Sequence, residues 1–347
     1  MAVSRFAAIN AGSYELMLKI YEISAGKKVR ILDNVRYVME LGRETYTEKK
    51  VSFETIEKMC DILEKFTKVL EEYQVTDYVA VATSGIREAE NAEIIVDRIK
   101  VRTGLNVRLI SNSEQRLYTY KALAMYPEEY EAFSKGNTAI LDVGAGSIQI
   151  SMMDKKNIAS TQNIKIGSMR IRELLLNLSE NMKHFDTLLD ELINNDLQTF
   201  KRMFIKDKAI DNIIATGEQI TLFTKNKNTG DFDRLMTTED FMGRYKQLNT
   251  KSQDELAKEL QVTSEQATIL IPCARIYDRF IEVVGCKNLW VPGTDICDGV
   301  AMDYAMSRKK IMDKHNFDED ILNEVRGISK RYKGNTVHIQ FVRMRNW

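Results

Sequence analysis

Short apolar runs separated by polar turns dominate the first forty positions of the chain. Residues 6–9 and 16–22 have the apolar or alternating pattern of two strands on either side of the turn NAGS at 10–13. The segment 29–41 has the pattern of a further pair of strands. The N-terminal segment is therefore predicted to be a β-meander.

Helical periodicity follows the meander. Apolar residues recur every three or four positions between residues 53 and 73, which predicts an amphipathic helix. The segment 77–83 is predicted as a buried strand and 84–91 as a loop. A helix capped by Asn91 and closed by Gly104 is expected next, and Ser113 is predicted to cap another helix that runs to about Met125.

The second half repeats this alternation. Its predicted elements are strands at 138–154, 158–165 and 211–216 and helices at 168–178 and 185–203. A chain of 347 residues exceeds what one hydrophobic core usually organises, and alternating strands and helices are typical of α/β domains. The predicted boundaries are 1–128 for the first α/β domain, 129–298 for the second and 310–347 for a C-terminal extension, with the option that a helix at 299–309 returns to the first domain.

Composition excludes several classes of protein. Hydrophobic residues make up 44% of the chain, which is enough for sizeable cores, and 50 basic residues balance 50 acidic ones. Because no net charge attracts polyanions, neither a membrane surface nor a specific nucleic acid is expected as a partner. The four cysteines are scattered, and the sequence shows no signal peptide and no membrane span, so a cytoplasmic location is predicted.

Two turns carry the chemistry that stands out. Each places a polar residue at the end of a strand, a glycine two positions later and a serine after it. The first turn contains Asn10, Gly12 and Ser13, and the second contains Asp142, Gly144, Gly146 and Ser147. Glycine lets backbone amides converge on phosphate oxygens, and a carboxylate can hold Mg²⁺ or a water nearby. One such turn alone is most often a glycine-assisted hairpin, whereas a pair suggests a cleft that clamps phosphates from both sides.

Several segments resemble the exopolyphosphatase and guanosine pentaphosphate phosphatase (Ppx/GppA) family of the actin-like superfold. The matching segments are the two turns, VATSGIREAEN at 81–91, ISNSEQRLYTY at 110–120, KIGSMRI at 165–171 and IATGEQI at 214–220. The resemblance covers about residues 5–305. It implies two actin-like (ribonuclease H-like) domains with an interdomain cleft.

The resemblance also implies roles for individual residues. Glu114 matches the general base, Asp142 the ligand of a catalytic Mg²⁺ or Mn²⁺, and Arg87 a phosphate-binding arginine. The implied phosphate-binding residues are Gly12, Ser13, Ser84, Gly144, Gly146, Ser147 and Gly217. The implied substrates are polyphosphate or guanosine polyphosphate, and a homodimer is one assembly that the family allows.

Two departures remove acidic groups from this pattern. Asn10 and Gln149 stand at positions that are usually acidic in the family, and an amide binds a hard cation more weakly than a carboxylate does. A weakly bound metal is therefore expected. Glu15 and Glu218 lie near the turns and could restore charge, although solvated carboxylates are the favoured interpretation for both.

Three functions remain open on the sequence. The first is a phosphohydrolase that releases the terminal phosphate of polyphosphate or guanosine pentaphosphate. The second is a catalytically impaired relative that binds polyphosphate or nucleotide as a regulatory protein. The third is a kinase of the same superfold, against which the 81–91 segment argues. The basic stretch 323–347 is predicted either as an added strand or as a contact surface, with the strand favoured.

Overall fold

The computed structural model describes residues 3–306 except 25–27, 76, 155–156, 179–184, 207–208, 227–228 and 230, together with residue 329. The predicted extension at 310–347, with its basic stretch, therefore lies outside the described residues apart from that one position. None of the described helices combines the length and the apolar character needed to cross a membrane.

The first unit is a mixed sheet with helices on both faces. Its strands are β1 (Val3–Ala11), β2 (Glu15–Ser24), β3 (Val29–Val38), β4 (Asp77–Ala82) and β5 (Val107–Leu109). Its helices are α1 (Leu41–Glu48), α2 (Phe53–Glu72), α3 (Ser84–Arg87), α4 (Ala92–Thr103), α5 (Asn112–Leu123) and α6 (Pro127–Ser134). The strand order is β3-β2-β1-β4-β5, in which β1, β2 and β3 pair antiparallel and β1, β4 and β5 pair parallel.

The second unit repeats the same plan. Its strands are β6 (Thr138–Val143), β7 (Ile148–Asp154), β8 (Asn157–Ile164), β9 (Asn212–Thr216), β10 (Leu235–Thr237) and β11 (Asn288–Trp290). Its helices are α7 (Ser168–Leu178), α8 (Phe185–Phe200), α9 (Glu218–Phe223), α10 (Thr238–Leu248), α11 (Gln253–Leu260) and α12 (Ser264–Val284), and a π-helical turn (Lys201–Ile205) follows α8. The order β8-β7-β6-β9-β11-β10 again joins an antiparallel meander to parallel strands.

Helix α13 (Ile296–Ala305) comes after β11 in sequence but packs on the first sheet. Cys297, Val300 and Ala301 are buried against Phe6 and Met17 of β1 and β2. A Cβ on Gly299 would lie 1.9 Å from the Tyr118 carbonyl oxygen, so α13 crosses α5 with almost no gap. Helix α5 also turns Tyr120 and Leu123 towards the second sheet, and so this helix pair lies between the two units.

Three local predictions were wrong. The segment 29–41 contains one strand, and the polar Asp33-Asn34 pair stays within it because a bulge in the pairing with β2, between Ile20 and Tyr21, absorbs the irregularity. The predicted loop at 84–91 contains the short helix α3. Ser111, not Ser113, caps α5.

Asn91 precedes α4 as predicted, but its side chain makes no capping hydrogen bond. Its amide instead exchanges two hydrogen bonds with the backbone of Val51. The residue therefore holds the segment before α2 in place.

Candidate active site

The two glycine turns close in the same way on the two sheets. Between β1 and β2 the amide of Gly12 donates to the Glu15 carbonyl over 2.9 Å, and between β6 and β7 the amide of Gly144 donates to the Ser147 carbonyl over 3.0 Å. A Cβ on Gly12 would lie 3.0 Å from that Glu15 oxygen, so the first turn is tight enough to favour glycine. The two turns are therefore closed by equivalent backbone hydrogen bonds.

A cavity of about 120 Å³ lies between these turns. The predicted residues that line it are Asn10, Gly12, Ser13, Ser84, Asp142, Gly144, Gly146, Ser147 and Gly217. Glu114, Arg87 and Gln149 are not among its lining residues. The structure therefore brings all three glycine-containing turns to one place, and leaves three of the predicted side chains outside it.

Asp142 stands at the end of β6 and faces the cavity. Burial raises the pKa of its carboxyl to about 6, against the neighbouring side chains of Thr216 and Thr119, which lower it. Gly217, at φ 108°, leaves room beside the carboxylate, since a Cβ there would lie 3.3 Å from Asp142 Oδ1. Within the described residues Asp142 forms no ion pair, so its carboxylate is available to a water or ligand in the cavity.

Glu114, the expected general base, is used elsewhere. Its carboxylate accepts from the Ser111 amide over 3.0 Å and completes a capping box at the start of α5, and it also pairs with Arg108. Although desolvation raises it, the pKa of Glu114 falls below its usual value because of the Ser111 amide and the Arg108 guanidinium. A serine followed three positions later by a glutamate is the sequence pattern of a capping box, so the role of Glu114 at the start of α5 could have been predicted from the sequence.

Arg87 does not reach the cavity either. Its guanidinium donates to the Ile110 carbonyl over 2.6 Å and to the Asn112 side chain, and so it fastens the start of α5 to α3. Desolvation lowers the pKa of this guanidinium. Arg87 therefore positions the start of α5, and its phosphate-binding role stays a prediction.

The two amides at usually acidic positions have different surroundings. Asn10 lines the cavity, and its buried Oδ1 has no hydrogen-bond partner in the part of the chain that the structure describes. Gln149 is buried on β7 opposite Asp142, and its Oε1 accepts from Arg116 Nε over 3.4 Å. Asn10 is therefore placed to contact a ligand in the cavity, whereas Gln149 contacts Arg116 of α5.

Tyr46 is a site residue that the sequence did not reveal. Its hydroxyl donates to Ser13 Oγ over 2.6 Å and lies 3.1 Å from Ser84 Oγ, and a Cβ on Gly146 would come within 1.9 Å of it. Burial raises the pKa of this phenol, against the serine hydrogen bonds that lower it, so the hydroxyl keeps its proton. Arg170 covers the ring at 3.6 Å and donates to the Gly146 carbonyl over 2.6 Å. Tyr46 thus connects both turns at one edge of the cavity.

A second group that the sequence did not reveal surrounds Arg36 on β3. Its guanidinium pairs with Glu15 over 3.4 Å, with Asp295 over 3.2 Å and with Glu218. Burial and then the Glu218 carboxylate raise the pKa of Glu15 well above its usual value. Glu15 and Glu218 are therefore buried members of an ion network, and their interpretation as solvated carboxylates was wrong.

Lys19 extends this network below the cavity. Its ammonium lies 2.6 Å from Asp295 and 2.9 Å from Asp298, and its side chain is 4% exposed. Asp295 also caps α13 by accepting from the Cys297 amide over 2.9 Å. The start of α13 is therefore tied to β2 through a buried cation.

The residues at the cavity do not fit a divalent metal ion. Asn10 supplies a neutral amide, and Glu15, Glu218 and Asp295 already face the Arg36 guanidinium. Across the described residues, no three His, Cys, Asp or Glu side chains are arranged to hold a metal. Proteins usually hold Mg²⁺ through one or two carboxylates together with waters and substrate phosphates, and Asp142 is one such carboxylate at the cavity, so the expected Mg²⁺ or Mn²⁺ stays a prediction.

The chain is similar to a known protein family and to several curated proteins. The sequence pattern of the Ppx/GppA phosphatase family matches residues 19–306. Exopolyphosphatase 1 of Mycobacterium tuberculosis is 22% identical over 147 residues, which is 42% of this chain and 42% of that protein. A guanosine-5'-triphosphate,3'-diphosphate pyrophosphatase of Pseudoalteromonas atlantica is 23% identical over 168 residues, 48% of this chain and 32% of that protein. The match thus spans less than half the length of these relatives.

Solved structures share the fold. The Aquifex aeolicus member of the Ppx/GppA family matches with a TM-score of 0.70 at 22% identity, over 90% of this chain and 99% of that one. An exopolyphosphatase from Cytophaga hutchinsonii matches with a TM-score of 0.74 at 19% identity, over 87% and 98%. The predicted α/β fold with two actin-like domains is therefore confirmed. The chain belongs to the Ppx/GppA phosphatase family.

Proposed function

We propose that this chain hydrolyses the terminal phosphoric anhydride bond of polyphosphate or guanosine pentaphosphate in the cleft between its two domains. The observation that carries the proposal is Asp142, an unpaired carboxylate that faces a cavity built from three glycine-containing turns. Membership of a phosphatase family supports the reaction class. Both substrate types occur among the curated relatives that the chain resembles.

The turns supply the binding groups in this proposal. Backbone amides near Gly12 and Gly144, with the hydroxyls of Ser13 and Ser147, are donors suited to phosphate oxygens. Because the donors come from both domains, a terminal phosphate is held from two sides. Such fixed donors stabilise the extra charge on the phosphoryl oxygens as the bond to the leaving group breaks.

Asp142 is the proposed base, in place of Glu114. Its carboxylate accepts a proton from a water whose oxygen forms a bond to the terminal phosphorus, while the anhydride P–O bond breaks. The electron pair of that bond leaves with the shortened chain, and the products are orthophosphate and a chain one phosphate shorter. Positioned general bases contribute about 10²- to 10⁴-fold to such rates.

Phosphate release tests this function. Purified protein is incubated with long-chain polyphosphate and, separately, with guanosine pentaphosphate, in chelator and in Mg²⁺. The expected result is orthophosphate from at least one substrate. A protein that binds either substrate by calorimetry but releases no phosphate in either buffer contradicts the hydrolase.

That contradicting result is what a second candidate function predicts. A binding or regulatory protein is favoured by the commitment of Glu114 to the α5 cap and by the neutral Asn10 at the cavity. It predicts chelator-insensitive binding without turnover. Restoring the acids with Asn10→Asp and Gln149→Glu would then create phosphate release that the parent lacks.

Removing the Tyr46 hydroxyl is expected to strengthen ligand binding. In Tyr46→Phe the hydroxyls of Ser13 and Ser84 lose a competing partner, and one hydrogen bond of about 1 kcal/mol corresponds to roughly a fivefold gain in affinity. Calorimetry with tripolyphosphate measures the change. Tyr73→Phe is the matched control, because the Tyr73 hydroxyl donates to Asp33 and does not line the cavity. Weaker binding by Tyr46→Phe would mean that the hydroxyl contacts the ligand.

The cytoplasmic location stays a prediction, and a homodimer stays one assembly that the family allows. Sedimentation velocity of the purified chain measures the second of these. A single species at the mass of one 347-residue chain would contradict a homodimer.

A further inference from the structure

The candidate for a new role is Arg36, which lies behind the cavity wall. Three of the carboxylates that line the cavity converge on its guanidinium: Glu15 from β2, Glu218 at the start of α9 and Asp295 before α13. The partners come from both domains and from the segment that joins them. One guanidinium therefore joins acidic groups of both domains, and it shares Asp295 with the Lys19 ammonium, which lies 2.6 Å from that carboxylate.

The position of this cation matters because of what surrounds it. The side chains of Glu15, Glu218 and Asp295 are only 9%, 12% and 11% exposed, and that of Arg36 is 25% exposed. Charges that are this buried must be paired to be tolerated. Without Arg36, Glu15 and Glu218 would lie largely buried with no cation beside them, and Asp295 would keep only Lys19, so the site would favour another cation.

We infer that Arg36 is a built-in cation of the cleft that takes the place of a divalent metal ion. The inference rests on the proposed function for its ligand class, since a cleft that holds its own cation can accept a polyphosphate without a bound metal. Arg36 is a positioning residue here. It acts on the ligand by pairing with carboxylates of the acidic wall, so ligand binding is expected to be insensitive to chelator.

Loss of the guanidinium is expected to create a metal site. Arg36→Gln leaves Glu15 and Glu218 without a cation and Asp295 with Lys19 alone, so the variant should gain a Mn²⁺ site that the parent lacks. Adding Glu218→Gln to that variant should remove the new site. Arg30→Gln is the matched control, because Arg30 lies on the same strand but pairs with the exposed Glu22.

Electron paramagnetic resonance of free Mn²⁺ measures binding in all four proteins. The expected result is no cleft site in the parent or in Arg30→Gln, one site in Arg36→Gln, and none in the double variant. Folded Arg36→Gln without a new site would overturn the inference. If Arg36→Gln does not fold, Mn²⁺ binding is measured in the parent and in Glu218→Gln instead. Mn²⁺ binding by the parent that is lost in Glu218→Gln would overturn the inference. A parent that binds no Mn²⁺ at this site supports it.

This measurement is independent of catalysis. It uses Mn²⁺ alone, so a chain that never releases phosphate still gives an interpretable result. Failure of the hydrolase proposal and failure of the Arg36 inference are therefore distinguishable.

Discussion

Asp142→Asn is expected to reduce phosphate release by about 10²-fold or more, while ligand binding is retained. The amide cannot take a proton from water, but it keeps the shape of the carboxyl group beside Gly217. Initial rates of orthophosphate release, with binding measured by calorimetry on the same samples, test this. Asp97→Asn, an exposed aspartate on α4, is the matched control.

Glu114→Gln separates this assignment from the one that the family resemblance implies. If Asp142 is the base, Glu114→Gln should weaken the α5 cap and lower the melting temperature, with a much smaller loss of rate than Asp142→Asn shows. The reverse order of the two rate losses would restore Glu114 as the base. It would also require the α5 capping box to open when substrate binds.

Lys19→Met is expected to cost about 3–5 kcal/mol of the free energy of unfolding. The substitution keeps most of the apolar stem but leaves the buried carboxylates of Asp295 and Asp298 without their ammonium partner. Because Asp295 also caps α13, the loss should loosen the helix that packs on the first sheet. Guanidinium denaturation followed by circular dichroism measures the change.

Lys58→Met is the control for that experiment. Lys58 forms an exposed pair with Glu54 on the surface of α2, where solvent screens the charges. Its unfolding midpoint should match that of the parent. Equal midpoints for Lys19→Met and the parent would contradict the structural role given to the buried network.

The sequence predicted what local patterns determine. Glycine spacing after β1 and β6 located both turns, and helical periodicity located α2 to within one residue. The strand pair expected at 29–41 failed because Asp33-Asn34 has the composition of a turn, and only pairing with β2 keeps it in a strand. The composition of a short segment cannot predict its pairing with another strand.

In the site, too, local patterns were predictable and contacts between distant residues were not. Tyr46 reaches Ser84 across 38 positions, and Arg36 reaches Asp295 across 259 positions, so no spacing in the sequence connects them. Arg87 looked like a phosphate ligand because it follows a strand and lies in a glycine-containing segment. In the structure its guanidinium donates to the carbonyl of Ile110, the residue after β5. That contact depends on the pairing of β5 with β4, which the sequence does not show.

Phosphorus NMR of guanosine pentaphosphate in the presence of the parent protein tests whether the chain is a terminal phosphohydrolase with Asp142 as its base. The terminal phosphate resonance is expected to decline as orthophosphate and the tetraphosphate appear one for one, and Asp142→Asn is expected to slow this conversion by about 10²-fold or more. Long-chain polyphosphate, followed in the same way, should also lose only terminal residues. Release of pyrophosphate, internal cleavage, or equal rates in the parent and Asp142→Asn would contradict the account.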